Sequence, residues 1–175
     1  MEEVILVDRN DNVLGFIEKY TAHREALLHR AFSVFIFNSK GEFLLQQRAS
    51  SKYHSPNLWT NTCCSHPRRG ETILEAANRR LMEEMGMACS LVKDHHFIYK
   101  AELDQGMTEY ELDYVVLGYS DVKPNINHEE VASYRYISLQ DCENEMAINP
   151  ESFTAWFRIA FEQVKKKLLL KMQKD

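Results

Sequence analysis

The segment ETILEAANRRLMEEMGM, residues 71–87, has the spacing of one amphipathic helix with a defined start and end. Thr72 and Glu75 have the spacing of a capping box, and Gly86 is the residue type that most often ends a helix. Apolar residues recur every three or four positions, as on one face of a helix, at Ile73, Leu74, Ala77, Leu81 and Met85. The pattern predicts a helix over 72–85.

The polar side of this helix carries pairs of opposite charge. Arg79 precedes Glu83 by four residues, and Arg80 precedes Glu84 by the same interval. Side chains at this spacing are neighbours on a helix surface, so the pattern predicts two ion pairs.

Short alternating segments precede the helix in pairs, and each pair surrounds a turn-rich stretch. Residues 4–7 and 13–17 surround RNDN at 9–12, and residues 32–37 and 43–45 surround NSKG at 38–41. Alternation is typical of strands, and Asn, Asp, Ser and Gly favour turns, so two β-hairpins are predicted. Further segments rich in β-branched and aromatic residues lie at 97–99, 112–119 and 133–137.

A second helix is predicted after Pro150, from about Glu151 to near Lys171. Its buried stripe is expected at Phe153, Phe157, Ala160, Val164 and Leu168. Strands in the middle with helices outside indicate an α+β fold, an α/β/α sandwich around a mixed sheet.

The composition favours one globular domain spanning residues 1–175, because 45% of the chain is hydrophobic. A net charge of -5 argues against a nucleic-acid-binding face. No apolar run approaches the roughly 20 residues that would span a bilayer, and the N-terminus lacks the basic start of a secretory signal. We therefore expect a cytoplasmic protein with no membrane association, whose four cysteines are thiols, and no partner protein is indicated.

The stretch TNTCCSHP at 60–67 carries the clearest chemical signal. On a strand, Cys64 and His66 share one face and Cys63 lies on the other. A thiol and an imidazole would then face one pocket, where they can move protons or bind a metal ion.

The helix segment resembles the signature of Nudix proteins, and most positions fit, including Glu71, Glu83 and Glu84. The chain departs from the signature at Ser65, where the first glycine is expected, and at Arg80, where a glutamate follows the arginine. In Nudix hydrolases that glutamate helps to hold the metals that activate water. An arginine there is expected to cripple diphosphate hydrolysis and to favour holding an intact diphosphate.

The helix and TNTCCSHP together resemble the type I isopentenyl-diphosphate Δ-isomerases, which have a Nudix fold. The resemblance covers nearly the whole chain and keeps the order of four more segments: LLHRAFSVFIFN at 27–38, LLQQRASSK at 44–52, TEYE at 108–111 and FTAWF at 153–157. It implies conversion of isopentenyl diphosphate to dimethylallyl diphosphate, through protonation of the alkene, a tertiary carbocation and loss of a proton from C2.

The resemblance also implies the roles of four catalytic residues. Cys64 and Glu111 would act from opposing walls of the pocket, and Tyr99 would donate a hydrogen bond to Glu111. Trp156 would lie over the reacting carbons, where its π face stabilises a developing cation. Whether Glu111 stores a proton or relays one through Tyr99 or bound water stays open at this point.

Metal and diphosphate ligands follow from the same resemblance. A mixed nitrogen and oxygen site for Mg, Mn or Zn would be formed by His23, His29, His66, Glu109 and Glu111. The diphosphate would be bound by Lys19, Arg48, Lys52, Ser65 and Arg80, with Glu84 holding a second Mg bridged to the phosphate oxygens. Four other histidines have no motif and are interpreted as structural or exposed: His54, His95, His96 and His128.

Three alternatives remain from the residues alone. One is a Nudix hydrolase of a diphosphate substrate, against which Arg80 and the pairing of Cys64 with Glu111 argue. Another is a non-catalytic binder that keeps the fold and the metal site. The third is a zinc or redox switch built on the vicinal cysteines, although Cys89 and Cys142 do not have the spacing of further ligands.

Overall fold

One mixed β-sheet with helices on both faces forms the core of the computed structural model. The structure describes residues 2–172, with side chains for residues 2–168, so both ends of the expected 1–175 domain lie outside it. The strands of this part are β1 (Glu3–Val7), β2 (Val13–Glu18), β3 (His29–Phe37), β4 (Phe43–Arg48), β5 (Trp59–Thr60), β6 (Cys63–Ser65), β7 (Leu91–Glu102), β8 (Thr108–Tyr119) and β9 (Val131–Ile137).

Strand β3 is the centre of the sheet, since it pairs with β1, β4, β6 and β8. Its pairing with β8 is parallel, from His29 opposite Glu111 to Phe37 opposite Tyr119, whereas its other pairings are antiparallel. Strands β1 and β2 form the first predicted hairpin, and β3 and β4 form the second. Both hairpins and the mixed sheet are therefore confirmed.

The helices are α1 (Lys19–Arg24), α2 (Ile73–Met85), α3 (Leu139–Ile148) and α4 (Ala155–Met172), with 3-10 turns at Asp104–Gly106 and Pro150–Ser152. Helix α2 is the predicted Nudix helix. Thr72 and Glu75 form the capping box, and Gly86 ends the helix in the left-handed conformation, with φ of 59°. The two predicted ion pairs also form: Arg79 with Glu83 and Arg80 with Glu84.

The C-terminal helix begins later than predicted, at Ala155 rather than near Glu151. Pro150–Ser152 is a 3-10 turn, and Phe153 is extended because it bridges Trp59 of β5. Helix α3 and the short helix α1 were not predicted. The sequence does carry a start signal for α3, since the Ser138 side chain accepts a hydrogen bond from the backbone of Asp141.

Each face of the sheet has its own core. On one face α2 packs its stripe, including Leu81 and Met85, against β3 residues such as Val34. On the other face α4 packs Phe157 and Phe161, both fully buried, against residues that include Phe43. The arrangement is the predicted α/β/α sandwich. No helix within residues 2–172 is long and apolar enough to cross a membrane.

Candidate active site

One cavity, lined by residues of both α2 and α4, contains almost all the residues that the sequence singled out. All the residues expected to be catalytic or to bind diphosphate line it, and so do Glu84, Glu109, His23 and His66. His29 is the exception, because it is fully buried behind the wall. The cavity therefore unites sequence segments that lie far apart along the chain.

The two proposed proton-transfer residues stand on opposite sides of β3. Cys64 on β6 lies opposite Ser33, whereas Glu111 on β8 lies opposite His29. Cys64 packs with the cluster on the α4 face, and the fully buried Cys63 belongs to the cluster on the α2 face. The predicted alternation of the two thiols is confirmed. Burial raises the pKa of Cys64 to about 12, so this residue is a thiol at neutral pH.

Three imidazoles surround the carboxylate of Glu111. The Nε2 atoms of His66, His29 and His23 lie 3.0, 3.4 and 3.8 Å from Glu111 Oε1. The donor atoms of all four residues lie within 4.8 Å of one another, and all four are buried. His23, expected from a loop of variable length, lies on α1 and completes the group.

The outer ring nitrogens decide which tautomers are present. His23 Nδ1 lies 2.9 Å from the carbonyl oxygen of Lys19, and His29 Nδ1 lies 2.7 Å from that of Leu27. A carbonyl oxygen only accepts, so both Nδ1 atoms donate, which leaves Nε2 of each neutral imidazole available as a metal ligand. Among the described residues these Nε2 atoms have no hydrogen-bond partner, although they are buried. Three imidazole nitrogens around a carboxylate form a donor set that fits a divalent cation.

The electrostatics of the group follow from burial and contact. Burial lowers the pKa of His66 to about 4, against the raising effect of its hydrogen bond to Glu111. Burial raises the pKa of Glu111, but its contacts with the three histidines outweigh burial and hold this pKa well below its ordinary value. Neutral imidazoles and an ionised carboxylate are the forms that bind metal.

Glu109 lies outside the four-donor group and meets it through Tyr99. The Tyr99 hydroxyl is 2.7 Å from Glu111 Oε2 and 2.9 Å from Glu109 Oε2. Burial and the charge of Glu111 raise the pKa of Glu109 well above its ordinary value. A phenol has one proton, so Tyr99 donates to one of the two carboxylates at a time, and the shorter contact is with Glu111, as predicted.

Trp156 is buried at the α4 end of the cavity and is held by two neighbours. The Arg48 guanidinium carbon lies 5.1 Å from the centroid of its ring. The ring of His54 approaches edge-on, with 5.6 Å between centroids. Trp156 therefore presents a fixed aromatic face within the cavity.

His54, interpreted from the sequence as structural or exposed, is buried and lines the cavity. It is 6% exposed and has no hydrogen-bond partner for Nδ1 among the described residues. Burial lowers its pKa to about 3. No motif marks His54, and the only available signal is its place two residues after Lys52. Phe32, Ser33 and Tyr53 also line the cavity without having been singled out.

Four cationic side chains line the same cavity, which is what a diphosphate requires in a chain of net negative charge: Lys19, Arg48, Lys52 and Arg80. In the structure these side chains contact carboxylate and carbonyl groups of the protein itself. Lys19 Nζ lies 3.2 Å from Glu2, and Arg48 donates to the backbone carbonyl groups of His54 and Ser55.

Glu84 is buried at this cationic end. Its carboxylate accepts from Arg80 Nη2 at 2.6 Å and from Gln46 Nε2 at 2.7 Å. The carboxylate remains part of the cavity lining, beside Arg80 and Ser65.

Known proteins are similar to this chain over most of its length. Residues 27–157 match the NUDIX domain model. The chain is 50% identical over 164 residues to the isopentenyl-diphosphate Delta-isomerase of Pectobacterium atrosepticum, covering 94% of this chain and 92% of that protein. It is 51% identical over 162 residues to the protein of that name in Photobacterium profundum, covering 89% and 90%.

Solved structures show the same fold at lower identity. A protein from Deinococcus radiodurans superimposes with a TM-score of 0.71 at 24% identity, covering 84% of this chain and 90% of that one. The domain match, the two relatives and the order of the motif segments agree, and the chain belongs to the isopentenyl-diphosphate Delta-isomerase family of Nudix-fold proteins.

Proposed function

We propose that this protein converts isopentenyl diphosphate to dimethylallyl diphosphate in isoprenoid synthesis in the cytoplasm. The observation that carries the proposal is one cavity in which Cys64 and Glu111 flank β3 beside four cationic side chains. The relatives in Pectobacterium and Photobacterium are named for this activity.

The reaction moves two protons and leaves the substrate composition unchanged. A proton adds to the terminal alkene carbon, and the double-bond electrons form the new C–H bond. The tertiary carbocation that remains then loses a proton from C2, and that C–H pair becomes the new double bond. Addition and removal on opposite sides need two groups across the substrate, which are Cys64 and Glu111.

The Tyr99 hydroxyl contacts the carboxyl groups of both Glu109 and Glu111, so a proton can reach or leave Glu111 without entry of bulk water. The buried indole of Trp156 supplies π density to the cation, worth about 2 kcal/mol in a desolvated site. Trp156 of helix α4 lines the cavity and would help to exclude water that would otherwise trap the carbocation.

The group formed by His23, His29, His66 and Glu111 would hold one Mg²⁺, Mn²⁺ or Zn²⁺ ion, with Glu109 as the further ligand of the proposal. Such a cation supplies positive charge that favours the ionised carboxylate and polarises groups bound to it. Glu84 would hold a second ion, Mg²⁺, which would supply positive charge to the substrate diphosphate.

The decisive experiment is proton NMR of isopentenyl diphosphate with the protein and Mg²⁺ in deuterated water. The expected product is dimethylallyl diphosphate with deuterium in one methyl group. Phosphate release from nucleoside diphosphates with isopentenyl diphosphate left intact would instead indicate a Nudix hydrolase.

Two variants test the assigned roles. Cys64→Ser and Glu111→Gln are each expected to lower kcat by about 10²-fold to 10⁴-fold while KM stays close to its starting value. Cys89→Ser is the matched control, because Cys89 is a half-buried thiol that does not line the cavity. An equal loss of affinity and rate in the first two variants would mean that these residues organise binding rather than chemistry.

A further inference from the structure

We propose that Glu130 is a positioning residue that holds Lys52 and Arg80 side by side for the substrate diphosphate. This inference rests on the proposed function, since it requires an anionic substrate at the cationic end of the cavity. Glu130 belongs to no motif of the chain, and it does not line the cavity itself.

One carboxylate oxygen joins the two cations. Glu130 Oε2 contacts Lys52 Nζ and also lies 3.3 Å from Arg80 Nη2. Both cationic side chains line the cavity, so the carboxylate contacts them from behind. A phosphate oxygen arriving from the cavity would meet two cations already held together.

The contact of Glu130 with both cations reduces two costs of placing Lys52 beside Arg80. Two like charges repel, and a lysine side chain loses much rotational freedom when it is fixed. A carboxylate between them cancels part of the repulsion and limits the positions of Lys52 Nζ. Burial raises the pKa of Glu130, but the hydrogen bond and charge of Lys52 and the charge of Arg80 outweigh it, so the group is ionised at neutral pH.

Backbone hydrogen bonds connect Glu130 to the end of β4, and through Asn127 to α2. Its carbonyl oxygen accepts from Ala49, just after β4, and its N–H donates to the carbonyl oxygen of Asn127. The N–H of Asn127 in turn donates to the carbonyl oxygen of Glu84 in the last turn of α2. The segment between β8 and β9 thus ties the strand preceding Lys52 to the helix that bears Arg80.

Arg80 itself is held from three sides. Its Nη1 donates to Glu83, its Nε and Nη2 donate to Glu84, and Nη2 also meets Glu130. Glu83 and Glu84 lie on the same helix as Arg80, so Glu130 is the contact that relates Arg80 to Lys52.

The Glu130 carboxylate also has an opposing effect on diphosphate binding. A negative charge close to a diphosphate site also repels the ligand. If repulsion outweighs positioning, removing the carboxylate must tighten binding, whereas positioning requires that removal weakens it.

The test compares Glu130→Ala, Glu130→Gln and Glu129→Gln by calorimetric titration with inorganic pyrophosphate and Mg²⁺, and by steady-state kinetics. Glu129→Gln removes the same charge from an exposed neighbouring residue. For Glu130→Ala we expect roughly tenfold weaker pyrophosphate binding and a similar rise in KM, with kcat within about threefold of its starting value. Glu130→Gln should lie between Glu130→Ala and the parent, because its amide oxygen can still accept from both cations, and Glu129→Gln should match the parent.

Unchanged or tighter pyrophosphate binding in both Glu130 variants would overturn the inference, as would a loss in kcat at constant KM. If Glu130→Ala does not fold, the isosteric Glu130→Gln decides alone. Pyrophosphate binding is measured apart from turnover, so a protein that binds pyrophosphate in a Glu130-dependent way without isomerising would refute the proposed function and leave this inference standing.

Discussion

Replacement of Gly86 by alanine tests why the end of α2 requires glycine. A Cβ built on Gly86 would lie 2.3 Å from the carbonyl oxygen of Asn125, whereas ordinary contact begins at 3.4 Å. Asn125 must therefore move by about 1 Å. Two backbone hydrogen bonds depend on its position: Asn125 N–H to Met85 and Asn127 N–H to Glu84, each 2.9 Å long.

The cost has two parts. The positive φ of 59° costs alanine about 1 kcal/mol. Weakening two hydrogen bonds costs about 1 kcal/mol each. The sum of about 3 kcal/mol corresponds to a melting temperature lower by roughly 6–12 °C.

Urea unfolding followed by circular dichroism measures this loss, and Gly70→Ala is the control. Gly70 also has a positive φ, of 84°, but no atom lies within 4 Å of a Cβ at that position. This variant should lose only the backbone part, about 1 kcal/mol. Equal losses in the two variants would refute the idea that contact with the loop, rather than backbone conformation alone, demands glycine at position 86.

Three further outcomes are expected. Tyr99→Phe removes the hydroxyl that contacts Glu111 and should lower kcat about 10-fold to 100-fold with little change in KM, and unaltered kinetics would contradict the hydrogen-bond role. Chelation of metal should lower the melting temperature. Adding Mn²⁺ at 100 times its dissociation constant should raise the free energy of unfolding by about 2.7 kcal/mol, which corresponds to a melting temperature higher by roughly 5–11 °C. A metal-dependent gain of that size in His29→Ala would contradict the four-donor site. His54→Ala should reduce kcat about 3-fold to 10-fold by freeing Trp156, whereas His54→Phe keeps the edge contact; equal losses in both would contradict a packing role.

The sequence predicted those helices and turns whose stabilising contacts lie between residues close together in the chain. The capping box of α2 and the turn residues between β3 and β4 act over a few positions, so they can be read from short stretches. The parallel pairing of β3 with β8 joins residues about eighty positions apart, and its register depends on contacts that no single segment records. The two strands were expected, but their adjacency was not.

The residues of the site likewise fall into those that the sequence could identify and those that it could not. Motif residues such as Cys64 and Glu111 could be located because their types and spacing follow a family pattern. His54 could not, because it lies in an irregular segment whose backbone turns at Ser55 and Asn57, with φ of 48° and 63°. These left-handed conformations give no periodic signal. Only the folded chain brings His54 against Trp156.

In the proposed function, the exchange of one charge on α2 would explain how a fold shared with hydrolases binds a diphosphate without cleaving it. At position 80 the Nudix pattern has a glutamate, which would add to Glu83 and Glu84 and strengthen a metal cluster beside the phosphates. Arg80 instead binds both of these carboxylates, so fewer oxygens remain to hold metals and activate water. The histidines around Glu111 form a separate cluster. In the proposed function Glu111 takes part in proton transfer, while Arg80 only binds the diphosphate.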